Sequence, residues 1–228
     1  QLLHHENGAW VNVTSGPPVG NTICGIVTSL SPFAVAQDLN APVSNFIQNG
    51  DFSNGAAGWS TFDGSISFAV NNGVFEYSRP GPTAVVLQPT GVAVGAGEAL
   101  VASWDMGNTS SERKRFSVLI HNDFQFAATN LDLAVCTFWL PPNTPMRRYA
   151  MRTHTTIAWQ SATISIYAAS GTSGGGVYQL DNVVLGPGSG ISTLRTDCVD
   201  PDQPGQVGPY DNASMLLNGD FSNGLSDW

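Results

Sequence analysis

Asn49-Gly50-Asp51-Phe52-Ser53-Asn54-Gly55-Ala56-Ala57-Gly58-Trp59 returns at the end of the chain as Asn218-Gly219-Asp220-Phe221-Ser222-Asn223-Gly224-Leu225-Ser226-Asp227-Trp228. Eight of the eleven positions are identical, at a separation of 169 residues. Both copies combine turn formers with large apolar groups. Asn-Gly steps reach positive φ at low cost, and Phe52 and Trp59 read as core anchors at the start of a folded unit. The repeat divides the 228 residues. One whole module occupies 43–186, a Pro/Gly linker 187–215, and the truncated start of a second copy 216–228. Residues 1–38 read as the C-terminal tail of a preceding β domain.

Working outward from the opening motif, the module is a succession of short strand-like runs. Ile66–Val70 alternates, and Val74–Tyr77 follows the turn signal Asn71-Asn72-Gly73. Ala84–Gln88, Ala99–Asp105, Arg115–His121, Leu131–Leu140, Arg148–Trp159, Ala162–Ala168 and Val177–Leu185 follow. In Arg115–His121 the residues Phe116, Val118 and Ile120 share one face. Turn signals at roughly ten-residue spacing across an all-strand pattern predict an all-β sandwich. Ahead of the module, Trp10–Thr14, Thr22–Thr28 and Pro32–Gln37 read as strand. Behind it, Pro201, Pro204, Gly205, Gly208 and Pro209 predict an extended linker.

Composition agrees. Charged residues are 11% of the chain and apolar residues 42%, so a core can form and charge-driven disorder is excluded. The chain has 25 glycines and 14 prolines, which suits many turns. The net charge of −9, with basic residues confined mainly to Arg113–Arg115 and Arg147–Arg152, argues against a nucleic-acid partner. No run approaches the roughly 18 apolar residues needed for a bilayer span, so no membrane insertion is expected. The first residues carry no signal-peptide pattern and no initiator methionine, which suggests a piece of something longer.

The opening motif, taken with Leu180-Asp181-Asn182-Val183-Val184-Leu185, resembles the ends of carbohydrate-binding modules of families four and nine. The resemblance covers residues 45–185. It implies a jelly roll of two antiparallel sheets with first and last strands adjacent. It also implies a non-catalytic module that binds polysaccharide or glycan, in adhesion or in targeting an enzyme, within an extracellular or cell-surface protein of tandem modules. The stretch Asn21–Phe33 resembles closing segments of β domains in large bacterial surface proteins. Relatives often hold a structural calcium between first and last strands, which makes Asp51 and Asp181 metal candidates. Ser53 stands where the family often has Glu, however, and both Asp residues fit equally well as turn caps.

Sugar recognition needs aromatic faces and planar polar groups. The candidates are Trp139, Trp104, Tyr178 and Tyr149, with Gln125, Asn122 and Arg148 as polar partners. Trp159 and Gln179 are further options. Trp104 shares a face with Leu100 and Ala102 and so also fits the core. Trp139 adjoins the loop Leu140-Pro141-Pro142-Asn143 and is expected to be exposed. Catalytic signatures are absent: the four histidines lack metal-ligand spacing, and there is neither a Gly-x-Ser-x-Gly elbow nor a phosphate loop. The glycine-rich run 171–176 joins two strands and reads as a plain loop. Only an enzyme built on a carboxylate pair brought together by folding stays open. Cys136, in an apolar run, reads as a small buried hydrophobe. One disulfide can form among Cys24, Cys136 and Cys198, with its pairing open.

Overall fold

The computed structural model describes residues 1–16, 19, 22–29, 32–35, 42–61, 66–78, 85–122, 132–171, 174–188 and 195–202. Gln125, the second motif copy and most of the expected linker lie outside the described residues. The chain divides into two compact units, Gln1–Leu39 and Asn40–Trp228.

The first unit is a three-stranded antiparallel sheet of β1 (Leu2–Glu6), β2 (Ala9–Asn12) and β3 (Phe33–Val35), in the order β2-β1-β3. β1 was not anticipated. Its turn is Asn7-Gly8, with φ of 50° and 84°, the positive values that a two-residue hairpin requires. His4 stacks on Phe33 with ring centroids 4.5 Å apart. The expected strand at Thr22–Thr28 contributes only isolated bridges, such as Thr14 to Gly25.

The second unit is a sandwich of two antiparallel sheets. In chain order its strands are β4 (Ser60–Thr61), β5 (Ser67–Asn71), β6 (Val74–Ser78), β7 (Val85–Pro89), β8 (Ala99–Asn108), β9 (Lys114–Asn122), β10 (Leu133–Leu140), β11 (Thr144–His154), β12 (Ala162–Ala168), β13 (Tyr178–Pro187) and β14 (Thr196–Val199). One sheet has the order β10-β9-β12-β7-β4, the other β14-β11-β8-β13-β6-β5. Each strand expected in the module is present, and alternation sets which side chains face inward. Phe116, Val118 and Ile120 of β9 meet Leu100, Ala102 and Trp104 of β8 in one core. Rings lock the sheets together: Trp104 lies 5.8 Å from Phe138, and Tyr149 lies 5.3 Å from Phe116 and 5.1 Å from Phe138.

The opening segment is strapped to β13. Val43 N donates to Pro187 O at 2.9 Å, Phe46 N to Leu185 O at 2.7 Å, and Val183 N to Gly50 O at 2.9 Å. First and last elements are adjacent, as a jelly roll requires. Two glycines permit the approach: a Cβ on Gly50 would collide with the Val183 carbonyl, and one on Gly186 with the Ser44 carbonyl. Asn49 organises the motif itself. Its amide nitrogen donates to Gly55 O and Ala57 O at 2.9 and 3.0 Å, and its side-chain oxygen accepts from Asn54 N at 2.9 Å. Phe52 is buried against Phe75 and Trp59 at 5.1 and 5.3 Å.

β14 falls within the stretch read as linker, so the sandwich extends past residue 186. It pairs with β11 and carries Cys198, which forms a disulfide with Cys136 of β10. Cys136 is buried, as expected, but is not a free thiol. The bond joins the edge strands of opposite sheets and closes a span of 62 residues. A loop of that length implies about 4 kcal/mol of stabilisation on the chain-entropy account. The Cys136→Ser/Cys198→Ser double variant is therefore expected to lose about 4 kcal/mol in denaturant titration, with Cys24 unaffected.

A second clasp lies beside it. Asp132 is 7% exposed and accepts from Thr156 N and Oγ1 at 2.8 Å, Trp159 Nε1 at 2.7 Å and Arg195. Burial pushes its carboxyl upward, but these donors outweigh burial and hold the pKa at about 2. A depressed carboxylate stabilises the fold above its unfolded value and loses that contribution as pH falls through the folded value. The wild type should exceed Asp132→Asn by about 2 kcal/mol at neutral pH, and denaturation curves should converge as the pH falls from about 4 to about 2.

Candidate functional site

The expected site residues do not converge. Trp104 and Tyr149 are fully buried and Tyr178 is 2% exposed. They face the space between the sheets, which removes them as stacking surfaces for a sugar. Tyr178 stacks on Tyr77 at 5.3 Å, and its hydroxyl donates to Arg115 O at 2.8 Å. Trp159 is buried on the Asp132 clasp. Asn122 holds a loop, its oxygen accepting from Gln160 N at 2.9 Å. Gln179 donates to Glu76 at 2.9 Å.

Arg148 lies on the outer face of the six-stranded sheet. A bulge between Asp181 and Val184, with Asn182 at φ 50°, turns two consecutive residues, Asp181 and Asn182, outward. Asn182 Nδ2 donates to Asp105 Oδ2 at 2.8 Å and Asp181 Oδ2 at 3.3 Å. Arg148 donates to Asp105 Oδ1 at 3.3 Å, Asn182 O at 2.9 Å and Ser103 Oγ at 2.8 Å. Arg148, Asp105 and Asn182, with Asn45, Asn49 and Asp51, line a depression of about 650 Å³.

The two metal candidates, Asp51 and Asp181, are each engaged by donors of the protein. Asp51 turns into its own loop and accepts from Ser53 N and Oγ at 3.2 and 2.9 Å, which lowers its pKa. Asp105 is tied to Arg148 and Asn182. Burial, reinforced by the neighbouring charges of Asp105 and Asp51, raises the Asp181 pKa. Among the described residues no three His, Cys, Asp or Glu side chains converge on a metal geometry. The turn-capping reading holds for Asp51, and the positive charge in the depression comes from Arg148.

The outer face of the five-stranded sheet is different. Register places Trp139 beside Arg115, Thr137 beside Ser117 and then Tyr167, and Val135 beside Leu119 and Ser165. Trp139 is half-buried, with the Arg113 guanidinium 4.3 Å from its ring centroid and that of Arg115 at 5.8 Å. Ser117 and Thr137 hydroxyls pair at 2.8 Å, as do His121 Nε2 and Ser165 Oγ. Tyr167 is half-buried on the same face. Sequence reasoning missed Tyr167, although the alternation of Ala162, Ile164, Ile166 and Ala168 with Thr163, Ser165 and Tyr167 already put it outside.

A xylan-binding CBM22 domain from Paenibacillus barcinonensis matches with a TM-score of 0.51 at 9% identity, over 66% of this chain and 98% of that one. The fold shared with that domain is a jelly-roll β-sandwich. Family 4, 16, 22 and 29 modules are among the solved structures it resembles. An arabinose-bound α-L-arabinofuranosidase matches at 15% identity and TM-score 0.49, over 65% of this chain and 27% of the enzyme. An enzymatically active domain of the bacteriophage CBA120 tailspike protein 4 matches at 16% and 0.47, over 63% of this chain and 21% of that domain. The chain thus spans about a quarter or less of these two proteins. No family model and no curated protein matches the sequence.

The aspartates already have protein partners in Arg148, Asn182 and Ser53. EDTA is expected to leave the melting temperature unchanged in differential scanning fluorimetry. A rise of several degrees on adding calcium would restore the metal reading.

Proposed function

We propose that this chain is a non-catalytic glycan-binding module and that the outer face of the five-stranded sheet is its binding surface. The observation that carries the reading is the row of Trp139, Thr137, Ser117 and Tyr167 on one face, two partly exposed aromatics with hydroxyls between them. Aromatic rings cover the C–H faces of sugars and hydroxyls meet their polar edges. The carbohydrate-binding jelly roll supports the reading through the fold only, and fold alone does not fix function. The non-catalytic assignment is supported by Asp105 and Asp181, which share the Asn182 amide, with Asp105 also bound to Arg148.

The disulfide supports an oxidising, extracellular setting. The motif copy at 218–228 supports tandem modules, whose avidity would serve adhesion or enzyme targeting. Among the described residues no helix is long and apolar enough to cross a membrane. One observation favours a rival, a structural spacer: Ser117 with Thr137, and His121 with Ser165, bond to each other.

Affinity electrophoresis of the full chain against a panel of soluble polysaccharides separates the two. Retardation by at least one polymer is expected, weakened roughly three- to tenfold by Trp139→Ala or Tyr167→Ala with little change in melting temperature. Retardation by no polymer, or an unaffected Trp139→Ala/Tyr167→Ala double variant, would leave the spacer reading standing.

A further inference from the structure

The charges of this acidic chain are unevenly distributed. Seventeen carboxylates face eight lysines and arginines, and most described arginines are neutralised locally. Arg147 pairs with Asp202, Arg148 with Asp105, Arg152 with Asp197 and Arg195 with Asp132. Lys114 is buried, its Nζ donating to Gly171 O at 2.7 Å. Arg115 has none of these arrangements. It is exposed beside Trp139, and among the described residues no carboxylate forms an ion pair with it. Arg113, one position before β9, lies over the same tryptophan.

Among the described residues, the outward strand positions around Arg115 carry no acid. The outward positions of β10 are Leu133, Val135, Thr137 and Trp139; those of β9 are Arg115, Ser117, Leu119 and His121. Those of β12 are Thr163, Ser165 and Tyr167, and those of β7 and β4 include Val85, Leu87 and Ser60. None is Asp or Glu. Glu112 precedes the pair in the turn, where its side chain lies against Gly174. The outer face of the six-stranded sheet, in contrast, bears Asp105, Asp181, Glu76 and Asp197.

From this we propose that the surface selects anionic glycans, those carrying a uronic acid carboxylate, with the acid group held by Arg115 beside Trp139. The inference rests on the glycan-binding reading and adds the substrate class to it. A guanidinium presents a planar fork of N–H groups that matches a carboxylate with two parallel hydrogen bonds. Trp139 is the platform beside it, with the Arg115 guanidinium 5.8 Å from the ring centroid. Tyr167 and the hydroxyls of Thr137 and Ser117 lie where the following sugars would run. The lack of acidic side chains at the described outward positions matters as much as Arg115, because a carboxylate there would repel the ligand.

The test uses the intact chain, a uronic acid polymer (polygalacturonate) and an uncharged β-glucan. Wild-type protein is expected to bind the uronate polymer on the order of tenfold more tightly, and to lose that preference as salt rises from about 0.05 to about 0.5 M, where exposed charges are screened. Arg115→Gln should lose the same factor for the uronate polymer and little for the glucan, with Arg115→Lys intermediate and all melting temperatures preserved. Binding to the glucan with no uronate preference, or a preference indifferent to Arg115→Gln, overturns the anionic assignment and leaves glycan binding intact. Retention by neither polymer, nor by any of the wider panel, overturns both.

Discussion

Everything in the sandwich is referenced to the contact between the opening segment and β13. Three backbone hydrogen bonds and two glycines bring residues 43–50 against residues 183–187 closely enough that neither glycine could carry a side chain without displacing a carbonyl. Without that strap β13 would lack a neighbour at the point where its bulge interrupts pairing with β8. The bulge turns Asp181 and Asn182 outward while Leu180 and Val183 stay in the core. The Asn-Gly-Asp-Phe-Ser-Asn-Gly motif is therefore a structural lock: Asn49 closes the loop, Gly50 permits the approach, Asp51 caps the turn and Phe52 anchors it.

Strand periodicity was legible because each long strand has one wet and one dry side. The alternation in residues 116–120 and 162–168 translates directly into core and surface, and had it been followed along Ala162–Ala168 it would have nominated Tyr167. Tyr149 and Tyr178 were misassigned for the opposite reason. A tyrosine carries an apolar ring and a polar tip, so composition cannot place it; the pairings Tyr149 with Trp104 and Tyr178 with Tyr77 decide, and both are long-range. β14 was illegible because four residues between Pro/Gly-rich segments are too few to establish a period. Its position depends on β11 and on a disulfide whose pairing no spacing rule determines.

The two outer faces divide the electrostatic work. On the six-stranded sheet, Arg148 and Arg152 are matched to aspartates across neighbouring strands, and Asn182 spreads charge between Asp105 and Asp181. On that face both of these arginines are already taken by aspartates. On the five-stranded sheet the hydroxyls satisfy each other, and among the described residues Arg115 has no carboxylate opposite it in register. The same backbone architecture thus offers one self-contained surface and one whose charge is completed from outside.

The disulfide has a mechanical consequence. β14 is the last described strand, so tension applied beyond Val199 reaches Cys198 before it can peel β14 far from β11. Cys198 hands the load to Cys136 in the opposite sheet. The chain between the two cysteines, a separation of 62 positions, would span about 200 Å if drawn out fully, and the covalent bridge withholds that length. A pull on this end of the module is therefore borne as shear between two edge strands, and the five-stranded face with its tryptophan keeps its shape under load.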